Sequence, residues 1–530
     1  MSLPASVIPK HLIRRYGAYF SVLLIAIVFF LYAYGLSDNP PGFYQDESAF
    51  AYNAYLIAST GASEFGVRWP LFFQNFTGPY TVYANPVCIY LLAALNVLFP
   101  PGIWLARLLS ATAGFEAALL MGFLALRISS SRTICVVTGL TTVITPWLFE
   151  VSRLFFDSSF FPLALVLFLL SLHYACVRAR WTWFDIARLG VTLGLLTYTY
   201  TIGRLLAPLL ALGLLFFVVN KGRLMDVLRT WVAYGLTLVP LLIFNLRHPQ
   251  ALTSRFWQLS YIRTERTFQG VVFRFITRFF QDLSLARLLT TGDINPRHHV
   301  PGATGSMLAA PFILALIGLV VVLARRRRDP WWQFIIFGAL ASVIPGALTV
   351  DAFHTGRMIA YPIFLIVLTI PALEWLSEPS KENAQSSEAE SAVKESRSEF
   401  VKGRPAISPR RAVLVGLLLA ATMQAAYFQV KFWRLGPERG LFLDAAYKDV
   451  YDAATALPPR PIYLVDGQWG PGYIHALWYA TLEGRSAAEF VHLDYGLSPP
   501  PGALVISSEQ SCVKCEILFR NGQYSLYRKL

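Results

Sequence analysis

Long runs of apolar residues recur along most of this chain of 530 residues. A membrane-spanning helix needs about 20 consecutive, mainly apolar residues, because the hydrocarbon layer is about 30 Å thick and each residue advances the helix by about 1.5 Å. We therefore predict an α-helical polytopic membrane protein with about 11 spans. They lie roughly at 19–36, 103–126, 133–149, 159–177, 186–202, 205–219, 230–246, 306–324, 332–350, 358–376 and 412–430.

The charge content supports this fold class. Charged residues make up 14% of the chain, whereas a soluble globular protein carries about 25%. A soluble enzyme of this length would lack charge for its surface. The net charge of +14 does not indicate a nucleic acid partner, because the Lys and Arg residues of a membrane protein collect in its cytoplasmic loops.

The apolar segment 86–100 decides the orientation, because it is too short for a comfortable span. If it does not cross and the N-terminus is cytoplasmic, every dense basic cluster beside a span lies inside, as the positive-inside rule requires. If it crosses, most of these clusters lie outside. We therefore predict a helix along the outer surface at 86–100 and a cytoplasmic N-terminus.

The other segments indicate the domain organisation. A stretch rich in Ser, Glu and Lys with few large apolar residues is typical of a solvated linker. In chain order, we predict a transmembrane module at 1–376 with outer loops at 37–102 and 247–305, a flexible cytoplasmic linker at 377–411, a last transmembrane helix at 412–430, and a small extracytoplasmic α/β domain at 431–530.

The C-terminal domain is predicted from ordinary composition and short periodic segments. Its helix-like segment is 442–456, and its strand-like runs are 461–465, 487–492, 503–507 and 523–528. Cys512 and Cys515 form a CVKC motif. Outside the cytoplasm this pair is either a disulfide or two thiols with no catalytic role, and it lacks the second half of a zinc site.

The second outer loop contains a segment with amphipathic periodicity, 268–289. The predicted apolar face holds Val272, Phe275, Phe279 and Leu283, and the predicted polar face holds Arg274, Arg278 and Gln281. This pattern is typical of a helix that lies in the membrane interface.

Acidic residues follow the first span and precede the fourth. Asp46 and Glu47 start a helix-like stretch, where the helix dipole alone stabilises acids by about 0.3–1 kcal/mol. Asp157 stands where a helix N-cap is expected. The functional alternative is a pair of carboxylates at a membrane-surface active site, one of them a general base.

Basic residues converge on the same predicted outer face. His354 and Arg357 lie one helical turn apart, where a cation pair can hold a phosphate; the alternative is interfacial snorkelling of Arg357. Arg204 lies between two spans. The segment TGDINPRHHVPG contributes Arg297 and His298. Adjacent histidines suggest a metal, but no further ligand set has a recognisable spacing, so neither a metal nor another cofactor is expected.

These residues resemble, in their order and shared face, the polyprenyl-phosphate-sugar-dependent glycosyltransferases of the GT-C fold. Relatives are the protein O-mannosyltransferases and the lipid A aminoarabinose transferases. The resemblance covers about 20–376. It rests on Asp46-Glu47, Asn85-Pro86, Arg153 with Asp157, TYTYTIGRLLAPLL at 197–210, GDINPRHHVPG at 292–302 and HTGRMIAYPIF at 354–364. Some relatives have Lys-Pro where this chain has Asn85-Pro86.

The resemblance implies an enzyme of the inner (cell) membrane that moves a sugar from a polyprenyl-phosphate donor to an acceptor on the extracytoplasmic face. The acceptor is open: a glycan, a lipid or a protein side chain. An inverting displacement is implied. The implied roles are catalysis for Asp46 and Asp157, donor phosphate binding for His354, Arg357, Arg204 and Arg297, and support for Glu47, Tyr361 and His298.

Two alternatives stay open. The first is metal-dependent transfer of an oligosaccharide from a lipid diphosphate, for which few acids cluster. The second is a lipid or sugar transporter, whose hallmark would be charges buried within the spans. Acidic residues within the predicted spans are scarce: Glu116 is one, and Glu374 lies near an end.

Overall fold

The computed structural model describes residues 10–78, 81–378, 408–467, 470–493, 497–508, 512 and 514–530, with side chains from residue 19 onward. Most of the predicted linker lies outside these residues. The first ten helices are α1 (Lys10–Ala33), α2 (Gln45–Thr60), α3 (Pro86–Asn96), α4 (Ile103–Ser129), α5 (Arg132–Ile144), α6 (Pro146–Ser152), α7 (Phe161–Cys176), α8 (Trp183–Thr199), α9 (Gly203–Gly213) and α10 (Lys221–Arg247). The helices that follow are α11 (Ser254–Leu259), α12 (Phe268–Asp282), α13 (Ala309–Arg325), α14 (Pro330–Ala341), α15 (Ile344–Ala347), α16 (Tyr361–Ser377), α17 (Pro409–Leu435), α18 (Tyr447–Thr455) and α19 (Tyr473–Leu482).

The predicted spans coincide with apolar helices. Within the described ranges, 5 helices are long and apolar enough to cross a membrane, or 6 if the bent pair α5–α6 counts as one span. Shorter apolar helices at Tyr19–Ala33, Gly203–Phe217, Ala309–Arg325 and Tyr361–Ser377 match four further predicted spans. Helix α8 matches another. The total of about 11 crossings stays a prediction.

The predicted span 133–149 is broken rather than continuous. Its two parts, α5 and α6, meet at a bend of 61°. Pro146 occupies the first position of α6, and the backbone of Thr145 is extended. Proline lacks the amide hydrogen that would continue α5, so the chain turns there. In α6, the carboxylate of Glu150 bonds His299 and the backbone amide of Val300 in the second outer loop.

The structure corrects the predicted faces of the segment 268–289, of which α12 occupies the first part. The exposed side chains of α12 include the apolar Phe268, Val272, Phe273, Ile276 and Phe280 together with the polar Gln269, Thr277 and Gln281. Arg274, with 43% of its side chain exposed, pairs with Glu265 at 2.6 Å, and Arg278 donates to the carbonyl oxygen of Val350 at 2.7 Å. A helix that exposes apolar and polar side chains together suits the membrane interface, where it meets both lipid and water.

The first outer loop and the C-terminal region build their two sheets separately. The strands are β1 (Phe73–Asn75), β2 (Val82–Ala84), β3 (Ile462–Val465), β4 (Phe490–His492), β5 (Leu504–Ser507), β6 (Cys515–Asn521) and β7 (Tyr524–Lys529). Strands β1 and β2 form an antiparallel pair. The second sheet has the order β4-β3-β5-β7-β6, with β4, β3 and β5 parallel and β7 antiparallel to both neighbours.

Four strands of the second sheet match the predicted runs, whereas β6 and α19 were not predicted. Strand β6 lies at the edge of the sheet and shows no alternation of buried and exposed residues, so the sequence carried little signal. Cys512 and Cys515 form a disulfide.

The C-terminal domain packs on helix α2, and both contribute to one hydrophobic core. The rings of Phe43 and Trp478 stack with centroids 5.6 Å apart. The Ser48 hydroxyl oxygen lies 2.9 Å from Nδ1 of His475. The chain end therefore covers the helix that carries the predicted catalytic acid.

Candidate functional site

The polar residues singled out in the sequence gather at one end of the helix bundle. Helices α1 and α8 end there, whereas α7, α9 and α16 begin there. Asp46 therefore follows α1, Asp157 immediately precedes α7, Arg204 lies in the first turn of α9, and His354 precedes α16.

Glu47 is the acid that holds the first outer loop in place. Its carboxylate accepts from Nε and Nη2 of Arg107, both at 2.9 Å, and from the backbone amides of Tyr44 at 3.1 Å and Phe155 at 2.9 Å. Arg107 also donates to three loop carbonyls. Both side chains are buried. This geometry fits the supporting role expected for Glu47.

Arg153 fixes the preceding turn in a similar way. Its guanidinium donates to the carbonyl oxygens of Tyr32, Tyr34 and Asn39 at 2.7–2.9 Å. The last carbonyls of a helix lack partners within it. Arg153 thus caps α1 and sets the path of the chain toward Asp46.

Asp46 makes no hydrogen bond or ion pair with any residue that the structure describes. It lies in the first turn of α2 and is partly exposed. Burial raises the pKa of Asp46 above its ordinary value, while the nearby cations Arg297 and Arg255 oppose that shift. A carboxylate with a raised pKa and open oxygens is suited to accept a proton.

Asp157 is joined to Arg204 through Asn85. The amide nitrogen of Asn85 donates to Asp157 at 2.7 Å and to the hydroxyl of Thr201 at 3.2 Å. The amide oxygen of Asn85 accepts from Nη2 of Arg204 at 2.8 Å. Asp157 also interacts electrostatically with Asp46. The residue that replaces the relatives' lysine therefore links the second carboxylate to a cation.

Tyr200, Tyr44 and Arg297 lie near the two acids. Tyr200 is partly buried and interacts electrostatically with Asp157, Asp46 and Arg357. Arg297 donates to the hydroxyl of Tyr44 and lies 4.9 Å from the centre of its ring. The two predicted carboxylates, Arg204, Arg297 and Arg357 thus belong to one connected region.

Asp293, His298 and His354 form a compact cluster beside this region. One ligand-type atom of each lies within 4.8 Å of the others. The rings of His298 and His354 are 4.5 Å apart. No such ligand set was predicted, because Asp293 and His354 are far apart in the chain. The structure therefore brings a possible ligand set together, and the argument from sequence spacing against a metal no longer holds.

The expected cation pair of His354 and Arg357 is corrected. Burial lowers the pKa of His354 well below its ordinary value, and the neighbouring His298 and Arg357 lower it further. His354 is therefore neutral near pH 7 and can act as a hydrogen-bond donor or a ligand, but not as a cation. Nη1 of Arg357 bonds the hydroxyl of Thr349 at 2.7 Å and the carboxylate of Asp351 at 2.8 Å.

Two other residues of these motifs are placed in the protein interior. Tyr361 is 7% exposed and packs in the main hydrophobic core. His299 lies 2.5 Å from Glu150 through Nδ1 and 2.7 Å from the carbonyl oxygen of Thr304 through Nε2. Burial alone would lower the pKa of His299, but the pairing with Glu150 raises it. His299 therefore anchors the loop rather than facing the site.

An apolar groove of about 510 Å³ leads away from the polar region. Its lining residues are Leu71, Pro86, Val87, Tyr90, Leu91, Tyr198 and Pro240. Pro86 follows Asn85 directly, and Tyr198 precedes Tyr200 by two positions, so the groove adjoins the polar residues. Helix α10, on its wall, is largely exposed.

Tyr44, Tyr200 and Arg255 were not predicted as site residues, and Asn85 and Asp293 stood in quoted motifs without an assigned role. Asn85 was noted because some relatives have a lysine there. Its position before Pro86, at the start of a helix, could also have marked it as a candidate site residue. Tyr200 stood within a quoted motif. Tyr44 and Arg255 carried no local signal, because distant segments bring them to the site.

Comparison with solved structures identifies the fold. ArnT from Cupriavidus metallidurans bound to undecaprenyl phosphate superposes with a TM-score of 0.60 at 12% identity, over 96% of this chain and 97% of that one. Its apo state gives 0.58. The oligosaccharyltransferase AglB from Archaeoglobus fulgidus, in complex with an inhibitory peptide and a dolichol-phosphate, gives 0.51 at 16% identity, over 89% of this chain and 64% of AglB. No protein family and no curated sequence matches the chain. The chain therefore has the GT-C fold that ArnT and AglB share.

Proposed function

We propose that this protein is a membrane glycosyltransferase that moves a sugar from a polyprenyl-phosphate donor to an acceptor hydroxyl by an inverting displacement. The observation that carries the proposal is the open carboxylate of Asp46 near Arg297 and Arg255, in a polar region whose residue Asn85 directly precedes Pro86 of the apolar groove. The full-length likeness to ArnT, bound to undecaprenyl phosphate, supports the donor class.

Asp46 is proposed as the general base. It accepts the proton of the acceptor hydroxyl while the hydroxyl oxygen attacks the anomeric carbon from the side opposite the phosphate. The bond between that carbon and the phosphate oxygen breaks, and its electron pair stays on the polyprenyl phosphate. The raised pKa of Asp46 makes its carboxylate a stronger base than an exposed aspartate. Asp157 is proposed to orient the acceptor, because Asn85 fixes its carboxylate.

The departing phosphate needs cations where its charge grows. Arg204, Arg297 and Arg357 supply them in this proposal, and neutral His354 adds a hydrogen-bond donor. Arg204 is preorganised, since Asn85 and the carbonyl oxygen of Leu252 hold its guanidinium at 2.8 and 3.0 Å. Preorganised donors cost no reorganisation during the reaction.

The groove beside Pro86 is proposed to hold the first isoprene units of the donor. Its lining is nearly all apolar, and it adjoins the polar region that would bind the phosphate. A lipid bound in this way keeps its tail among the helices and its sugar at the surface. The basic residues at the opposite helix ends, such as Arg127 and Arg178, support an extracytoplasmic site by the positive-inside rule.

The test is sugar transfer by the purified protein in nanodiscs, with labelled polyprenyl-phosphate sugars and product identification by mass spectrometry. We expect Asp46→Asn to lower the rate about 10²–10⁴-fold, the range that general base catalysis supplies. Asp38→Asn, which changes an exposed acid of the same loop, is the matched control. Full activity of Asp46→Asn would refute the role of Asp46.

A second candidate is transfer of an oligosaccharide from a lipid diphosphate; the likeness to the oligosaccharyltransferase AglB supports an oligosaccharide as the transferred group. Parallel assays with a monophosphate-linked sugar and a diphosphate-linked oligosaccharide separate the two. Transfer from the diphosphate donor alone would favour the second candidate. Movement of labelled lipid across the bilayer without any transfer would favour a transporter.

A further inference from the structure

Asp293, His298 and His354 have the composition of a transition-metal site. Imidazole nitrogens and a carboxylate oxygen are ligands that Zn²⁺ accepts, and three protein ligands with one open position are typical of non-structural zinc sites. Asp293 is buried and the two histidines are partly buried, so the site is shielded yet reachable. His298 has 15% of its side chain exposed.

The spacing within the cluster matches a tetrahedral ion. Bonds of about 2.0–2.1 Å to nitrogen and oxygen place neighbouring ligands about 3.3–3.4 Å apart at the tetrahedral angle. Nδ1 of His298 lies 3.3 Å from Oδ2 of Asp293. That separation is long for a charge-assisted hydrogen bond, which is about 2.7–2.9 Å. The third ligand atom lies within 4.8 Å, so a rotation of the His354 ring can complete the set.

Surrounding hydrogen bonds fix the carboxylate before any ion arrives. The amide and the hydroxyl of Thr355 both donate to Oδ2 of Asp293 at 2.9 Å, and the amide of Asn295 donates to Oδ1 at 2.9 Å. The indole of Trp147 in turn donates to the carbonyl oxygen of Thr355 at 3.0 Å. Partners of this kind orient metal ligands and commonly change affinity 10–100-fold when they are removed.

We propose that Asp293, His298 and His354 bind one divalent transition-metal ion of the Zn²⁺ class, with its fourth position open to an anionic oxygen. The charge around the cluster selects the fourth ligand. Arg297 and Arg357 both interact electrostatically with His354 and have acidic neighbours in Asp46 and Asp351, whereas a dication bound to one carboxylate carries one uncompensated positive charge. A phosphate oxygen would balance it. The identification of that phosphate with the donor's rests on the proposed function, whereas the metal site does not.

The test uses Co²⁺ as the probe, because tetrahedral Co²⁺ absorbs strongly in the visible range. The full-length protein, without a polyhistidine tag, is stripped with EDTA in detergent and titrated. We expect tetrahedral bands at one Co²⁺ per chain. Asp293→Asn and His298→Gln should each weaken binding more than 10-fold, while His248→Gln, which changes an exposed histidine elsewhere, should not. Thermal unfolding verifies that the variants are folded.

Two results would overturn the metal site: absence of tetrahedral bands, or equal affinity in the wild type and in both cluster variants. Inorganic phosphate is then added to the Co²⁺ protein. A shift of the bands supports the open fourth position, and unchanged bands refute it. These measurements need no donor lipid, so the two proposals are tested separately. A negative Co²⁺ result would refute the metal site without affecting the proposed transferase activity. Full activity of Asp46→Asn would refute the role of Asp46 without affecting the metal site.

Discussion

Two adjacent acids, Asp46 and Glu47, should respond in opposite ways to the same chemical change. Glu47→Gln removes a charge that four donors share, among them both forks of buried Arg107. Breaking a buried ion pair from one side costs about 3–5 kcal/mol, because the remaining charge is left uncompensated. Asp46→Asn removes a charge that no described residue pairs with, so it should leave stability nearly unchanged.

The two variants are compared by apparent Tm in detergent, followed by tryptophan fluorescence, and by sugar transfer. We expect Glu47→Gln to lower the apparent Tm by several degrees and to lose activity in proportion to the unfolded fraction. Asp46→Asn should keep the wild-type Tm and lose activity at any temperature. Equal losses of Tm in both variants, or a stable and fully active Glu47→Gln protein, would refute the assignment of the two roles.

Three further predictions follow from the geometry. Asn85→Ala should raise KM for the donor about 10-fold, because Arg204 and Asp157 lose their shared partner; steady-state kinetics measures it. Because the pKa of Asp46 is raised and its base form is the deprotonated one, kcat/KM should rise with pH through a pKa above the ordinary aspartate value. Ile276→Glu on the outward face of α12 should weaken association of the outer region with lipid, measured as quenching of tryptophan fluorescence by brominated lipids.

Each of these has a result that would count against it. An unchanged KM in Asn85→Ala would show that the relay does not position the cation. A pH profile that keeps its acidic limb in Asp46→Asn would assign that limb to another group. For α12, equal quenching in Ile276→Glu and the wild type would mean that this face does not meet lipid.

Local patterns in the sequence were sufficient to predict most of the apolar helices and part of the candidate site. Asp46, Asp157 and Arg204 each lie near a long apolar run. The hydropathy of such a run is enough to locate the helix in the sequence, and with it the polar residues at its end. The broken span at Pro146 was missed, because hydropathy averages over a window and does not register the loss of one amide hydrogen.

The remaining site residues depend on contacts between distant segments. His298 could be noticed, but its neighbours Asp293 and His354 come together through loops whose paths no periodic pattern predicts. The charge of His354 could not be inferred either, because it follows from burial and from two neighbouring groups. The pairing of Arg274 with Glu265 has the same origin, since Glu265 lies outside the helix that carries Arg274.

The shared core of α2 and the C-terminal domain has a consequence for the order in which the protein matures. Gln45 bonds Asp444, 399 residues further on, and Ser48 meets His475 across 427 residues. Contacts this distant form late, because the loop between them must close first. The helix that carries Asp46 therefore gains its cover only after residues 444–475 have been synthesised. A nascent chain that has reached only α17 lacks the side chains that cover α2.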